Sequence, residues 1–167
     1  AEEAGHDLTY QADSGLVNGL EMPASLYADM GGSLFATEAV LQALLLRQRP
    51  GKAQGKGVFH EVALCDASSY LALPRAWGLT LPSGDVGGAH AGYKVYPCKN
   101  GRVALAALEP HFAVRLCEAA GLPKQAATHM HKRSTHEAIA QFLALQTRAQ
   151  LEKLANSKDI PLHTLPR

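Results

Sequence analysis

Residues 93–110 read Tyr93-Lys94-Val95-Tyr96-Pro97-Cys98-Lys99-Asn100-Gly101-Arg102-Val103-Ala104-Leu105-Ala106-Ala107-Leu108-Glu109-Pro110. Two apolar runs, Tyr93 to Cys98 and Val103 to Leu108, flank Asn100-Gly101, a dipeptide favoured in type I′ turns, and together they predict a β-hairpin. Pro110 suits the first position of a helix and Gly121 its end, so a helix is expected from Pro110 to Ala120. Ser134 and Glu137 have the spacing of a capping box ahead of a helix reaching about Leu145, and Thr147 predicts the cap of a further helix, Arg148 to Ala155. Ile160-Pro161-Leu162 reads as an extended edge segment. A hairpin followed by helices describes a small α+β domain.

Upstream the pattern differs. Leu34, Phe35, Val40, Leu41, Leu44 and Leu45 recur at three- and four-residue steps, which predicts a helix from Ser33 to Gln48. Gly32 or Ser33 is its expected N-cap, and Pro50-Gly51 its stop. Val58 to Leu64 reads as a strand, followed by a short helix running toward Trp77. Leu81 to Gly92 is rich in glycine and poor in large apolar residues, as a linker would be. The expected division is therefore residues 1–80, a linker at 81–92, a small domain at 93–150, and a C-terminal return segment at 151–167. The fold class is α/β.

A chain of 167 residues with 47% hydrophobic and 19% charged residues is an ordinary globular composition. A net charge of +1 gives no electrostatic reason to expect nucleic acid or an anionic membrane as partner. No apolar run is long enough to span a bilayer. Cys65, Cys98 and Cys117 are odd in number and widely spaced, which suits reduced thiols in a cytoplasm better than a disulfide framework. No metal site is expected; His129 and His131 form a pair with no nearby ligand but Glu137.

Three residues could carry acid–base chemistry. Asp29 precedes Gly31-Gly32 and a helix start, a positive field that suits a carboxylate; the diglycine lets a ligand approach and offers N–H donors to an oxyanion. A plain capping role for Asp29 is the alternative. His6, in Gly5-His6-Asp7, has the side chain suited to proton exchange near neutrality, or is simply held by a backbone bond. Glu109 ends an apolar strand before Pro110, where partial desolvation would perturb it, or caps the junction. Tyr93 and Tyr96 stand at odd spacing, hence on opposite strand faces. Arg47, Arg49, Lys52 and Lys56 could meet a nucleotide phosphate, or form a solvated loop.

In their order, these motifs resemble the family III CoA-transferases, and most closely the α-methylacyl-CoA racemase branch. Gly5-His6-Asp7-Leu8-Thr9-Tyr10 is similar to that branch's Gly-His-Asp-Ile-Asn-Tyr segment. Ala28-Asp29-Met30-Gly31-Gly32-Ser33 is similar to its Asp-Phe-Gly-Gly-Gly segment. Gly87-Gly88-Ala89-His90-Ala91-Gly92-Tyr93-Lys94-Val95-Tyr96 is similar to Gly-Gly-Ala-Pro-Phe-Tyr-x-x-Tyr, and Leu108-Glu109-Pro110 carries the Glu-Pro motif. The resemblance implies part of a Rossmann-like large domain plus a small domain with a hairpin. It implies that His6 and Asp29 exchange the α-proton of an acyl-CoA and that Glu109 holds and polarises His6. Asp7, Tyr10, Gly31, Gly32, Tyr93 and Tyr96 would line the substrate and CoA site. In the transferase branch the Asp29 position instead attacks the thioester and forms an anhydride; those enzymes usually lack the His and the Glu-Pro motif, both present here. No cofactor is implied beyond coenzyme A as part of the substrate.

Departures are Gly92, where the family has an aromatic, and Met30, where it has Phe. Family chains are longer, and the resemblance covers their middle-to-C-terminal part. The family forms interlocked dimers, so a homodimer, or a partner chain supplying an N-terminal half, is expected. An incomplete, non-catalytic fragment is the remaining alternative.

Overall fold

A computed structural model describes residues 4–48, 55 and 57–166. The chain divides into two compact units, one ending at Trp77 and the other starting at Gly78. Residues 81–92, expected as a linker, and 151–166, expected as a return segment, both fall in the second unit.

The first unit is helical. It comprises α1 (Asp7–Asp13), α2 (Tyr27–Gln48), α3 (Leu64–Leu71) and α4 (Leu73–Ala76). Helix α2 begins six residues before the expected Ser33, so Gly31 and Gly32 lie inside it rather than ahead of it. Its buried stripe is Ala28, Gly31 and Gly32, at i, i+3 and i+4. These small residues let α2 and α3 approach closely. A Cβ on Gly31 would stand 3.0 Å from Leu71 Cδ1 and 3.3 Å from Ala67 Cβ, and one on Gly32 would stand 2.2 Å from Leu64 Cδ2. The expected apolar face, Leu34, Val40, Leu41, Leu44 and Leu45, stays exposed. Ser68 Oγ donates to Tyr10 O and lies 2.7 Å from Ser14 Oγ, tying α3 to α1.

The strand expected at Val58–Leu64 is absent: residues 57–63 are irregular and pair with no strand among the described residues. Its β-branched and aromatic composition favours a strand only where a neighbour supplies the ladder, and Phe59 is almost fully exposed.

The second unit is a three-stranded antiparallel sheet packed on helices. Its elements are a 3-10 turn (Asp85–Gly87), β1 (Tyr93–Cys98), β2 (Gly101–Ala106), α5 (Pro110–Ala119), a 3-10 segment (Lys124–His129), α6 (Arg133–Leu145), α7 (Arg148–Lys158) and β3 (Leu162–Leu165). The strand order is β1-β2-β3. Tyr96 and Cys98 of β1 and Val103 and Leu105 of β2 face a core with Leu116, Cys117, Ile139, Leu143 and Leu151.

Local signals account for several elements. Pro110 opens α5; Leu122 N–H reaches Cys117 O (2.8 Å), Gly121 N–H reaches Glu118 O, and Gly121 holds φ 72°, which makes a Schellman ending. Thr147 Oγ1 accepts from Gln150 N, and Gln150 Oε1 accepts from Thr147 N, a capping box for α7. Two expectations fail. Helix α6 starts at Arg133, so Ser134 lies within it and caps nothing; Glu137 pairs instead with Arg133 Nε at 2.7 Å.

The hairpin forms, but Cys98 pairs with Gly101, so its loop is Lys99-Asn100, and neither residue has positive φ. A type I′ turn is therefore excluded. The turn is held from outside: Lys99 N–H donates to Gln146 O and Asn100 Oδ1 accepts from Arg148 N. Gly101 serves close approach, because a Cβ there would stand 2.3 Å from Leu165 O and 2.7 Å from Arg148 Cδ. Gly101→Ala should therefore lower stability by about 1–3 kcal/mol in chemical denaturation, by pushing β3 and α7 off the sheet. A loss below ~0.5 kcal/mol would show that β3 yields freely.

Candidate active site

In the first unit His6 and Asp29 line one hollow of about 390 Å³, with Asp7, Leu8, Gln11 and a wall from Met22 to Leu26. His6 sits at the N-cap of α1 with extended backbone, and its N–H donates to Thr9 Oγ1 at 2.9 Å. The imidazole is exposed. Asp29 lies in the first turn of the 22-residue α2, also exposed, at the positive end of that helix dipole.

Asp7 joins the two elements. It is buried, and its Oδ1 accepts from Ala28 N (2.8 Å) and Asp29 N (3.1 Å), capping α2 from a different helix. Its Oδ2 accepts from Gln11 Nε2 at 2.5 Å. The same Nε2 donates to Ser25 O at 3.1 Å, which holds the wall of the hollow. Gln11 is fully buried, and its Oε1 has no hydrogen-bond partner among the described residues. Gln11 was absent from the residues singled out by sequence; the i, i+4 spacing from Asp7 is the one signal for it.

The oxyanion role expected of Gly31 and Gly32 does not fit. Both are interior to α2 and buried against α3, where backbone N–H groups serve the helix ladder. Of the first turn, Ala28 and Asp29 donate to Asp7, and Met30 donates to Leu26 O. Tyr10 is half-buried, and its ring packs against Gly5, where a Cβ would stand 2.6 Å from Tyr10 Cζ.

The remaining candidates belong to the second unit. Glu109 is the N-cap of α5, three residues beyond the end of β2, and is exposed rather than desolvated. Tyr96 is buried and its hydroxyl donates to Ala91 O at 2.8 Å; burial pushes the phenol up to about 12. Tyr93, on the opposite strand face, walls a hollow of about 680 Å³ with Val86, Lys94, Val95, Ala104 and His163. That hollow is larger than the one around His6 and Asp29, yet none of the acid–base trio lines it.

His129 Nδ1 lies 3.1 Å from Gln125 O, and His131 Nε2 lies 2.6 Å from Asp85 Oδ1. Of the basic cluster, Arg49, Lys52 and Lys56 lie outside the described residues. Among the described residues no helix is long and apolar enough to cross a membrane.

Comparison with solved structures shows the fold. Crystal structures of Rv3272 from Mycobacterium tuberculosis superpose with TM-scores of 0.74 for an orthorhombic form and 0.76 for an aspartate-to-alanine mutant, each at 18% identity. They match 96% and 99% of this chain but only 46% and 47% of theirs, so the chain spans about half the length of these proteins. A further crystal structure of Rv3272 gives 0.74 at 19% identity, covering 96% of this chain and 47% of its own. The sequence itself matches CoA-transferase family III over residues 1–166. The chain therefore belongs to CoA-transferase family III.

Proposed function

We propose that this protein is an acyl-CoA racemase that moves the α-proton of a 2-methylacyl-CoA, with His6 and Asp29 as the two proton carriers. The observation that carries this reading is their convergence on one hollow from two different helices, coupled through Asp7. An α-proton of a thioester is weakly acidic, so its removal needs a base on one face, an acid on the other, and stabilisation of the enolate. His6 and Asp29 supply the first two. For the third, the positive end of α2 replaces the diglycine amides as the source of favourable field.

Asp7, from its buried position, and Tyr10 shape the site within the first unit. Coenzyme A enters as part of the substrate, with no further cofactor. A homodimer, or a second chain supplying further parts of the CoA site, completes the enzyme, which works in the cytoplasm on branched fatty acyl thioesters.

The second reading is CoA transfer. An exposed carboxylate such as Asp29 has a nucleophile's access, and attack on the thioester carbonyl would expel CoA thiolate and leave an aspartyl anhydride. The two readings separate in heavy water. Racemisation puts solvent deuterium on the α-carbon of a 2-methylacyl-CoA without any acceptor acid. Transfer instead requires an acceptor acid and gives an Asp29 adduct trapped by hydroxylamine. Trapping at Asp29 with full activity in His6→Ala would replace the racemase reading.

A further inference from the structure

The turn that leads into β1 is built around a histidine outside the candidate active site. His90 is buried, and its Nδ1 accepts a hydrogen bond from Gly92 N–H at 3.1 Å. A ring nitrogen that accepts from an amide carries no proton of its own, so this geometry exists only for the neutral imidazole. The surrounding chain leaves little slack. Gly92 O accepts from Ala107 N at 2.7 Å, Ala91 N–H donates to Met130 O, and Ala91 O accepts from Tyr96. A Cβ on Gly92 would stand 2.9 Å from His90 Cε1 and 2.3 Å from Ala107 O.

The groups facing His90 come from three directions. Asp85 lies on the 3-10 turn, His131 follows the 3-10 segment, and His136 lies on α6 with its Nε2 2.9 Å from Ala89 O. The His131 ring meets that of His90 edge-on at 5.6 Å. Asp85 is the one carboxylate of this set, and its Oδ1 is already 2.6 Å from His131 Nε2.

We infer that the turn Ala89–Gly92 is an acid-released clasp: a proton taken from solvent at His90 Nδ1 ejects the Gly92 N–H, and the segment carrying Val86, Gly87 and Gly88 loosens from the 680 Å³ hollow that it walls. Burial first, then the His131 charge, hold the His90 pKa below the ordinary 6.5, with Asp85 opposing and His136 adding to the depression. A histidine with a depressed pKa in the folded state binds fewer protons folded than open. The clasp is thus fully closed above pH 6.5, and it weakens as pH falls from there through the lower, folded-state value.

The test is a ¹⁵N and imidazole NMR titration of the full chain, with amide hydrogen exchange of Gly92 and Ala91 referenced to Ala113 in α5 and corrected for intrinsic rates. Exchange at Gly92 is expected to rise about tenfold for each unit by which His90's folded midpoint lies below 6.5, while Ala113 stays flat. His90→Asn keeps an acceptor oxygen near Nδ1 and should remove the pH dependence; His131→Gln should keep it and shift it to higher pH. An unchanged pH dependence in His90→Asn would overturn the clasp. Should that variant not fold, the wild-type titration decides alone: His90 protonation and Gly92 release must share one midpoint, and separate midpoints overturn it.

Discussion

Asp29→Asn and His6→Ala are each expected to lower racemisation by about 10²–10⁴-fold, the usual contribution of a positioned acid or base. The effect should fall on kcat with little change in KM, because both side chains are exposed at the hollow and neither holds the fold. Asp29 contributes to the α2 cap through its backbone N–H, which donates to Asp7, and an Asn at this position keeps that donor. His6 likewise anchors its turn through backbone atoms and Thr9. Unfolding free energies of both variants should therefore stay within about 0.5 kcal/mol of the parent's. A variant that lost activity only in proportion to lost folded protein would remove the residue from the chemistry.

Asp7→Ala should have the largest effect on stability, about 2–4 kcal/mol. The carboxylate accepts from two backbone N–H groups of α2 and from Gln11, all at a buried position. Losing an N-cap costs about 1–2 kcal/mol, and leaving buried donors unpaired adds about 1–3 kcal/mol. Asp7→Asn tests the account more finely. Its oxygen keeps the two backbone bonds but its amide faces Gln11 Nε2 as donor against donor, so it should recover roughly half of the loss. Urea denaturation followed by far-ultraviolet circular dichroism reads both, and equal stability of Asp7→Ala and the parent would refute the capping role.

What the sequence reveals depends on how local each cause is. Pro110, Gly121 and Thr147 act within a few residues, and the helices they bound start where expected, although α7 runs on to Lys158, past the expected Ala155. The start of α2 was hidden because its cap, Asp7, lies 21 residues before Ala28. Without that partner Tyr27-Ala28 carries no start signal of its own, whereas Gly32-Ser33 has the composition of an N-cap. Gly101 misled in the same way: it reads as a turn glycine, yet it is required by the approach of β3, a contact made across the sheet. Val58–Leu64 has the composition of a strand, but composition cannot supply the neighbour that makes one.

The site divides along the same line. The residue types of His6, Asp29 and Glu109 were legible as acid–base candidates. Their surroundings were not. Glu109 proves exposed, the diglycine proves to be helix packing, and Gln11 enters only through the fold. Asp7, first placed with the substrate-binding residues, has both carboxylate oxygens engaged by the protein.

The two proton carriers are tested most directly by following α-deuterium uptake separately for each enantiomer of a 2-methylacyl-CoA in heavy water. The parent protein should exchange both. A His6 variant should exchange only the enantiomer whose α-proton Asp29 takes, and an Asp29 variant only the other. Absence of exchange by the folded parent, or both variants exchanging both enantiomers at the parental rate, would contradict the assignment.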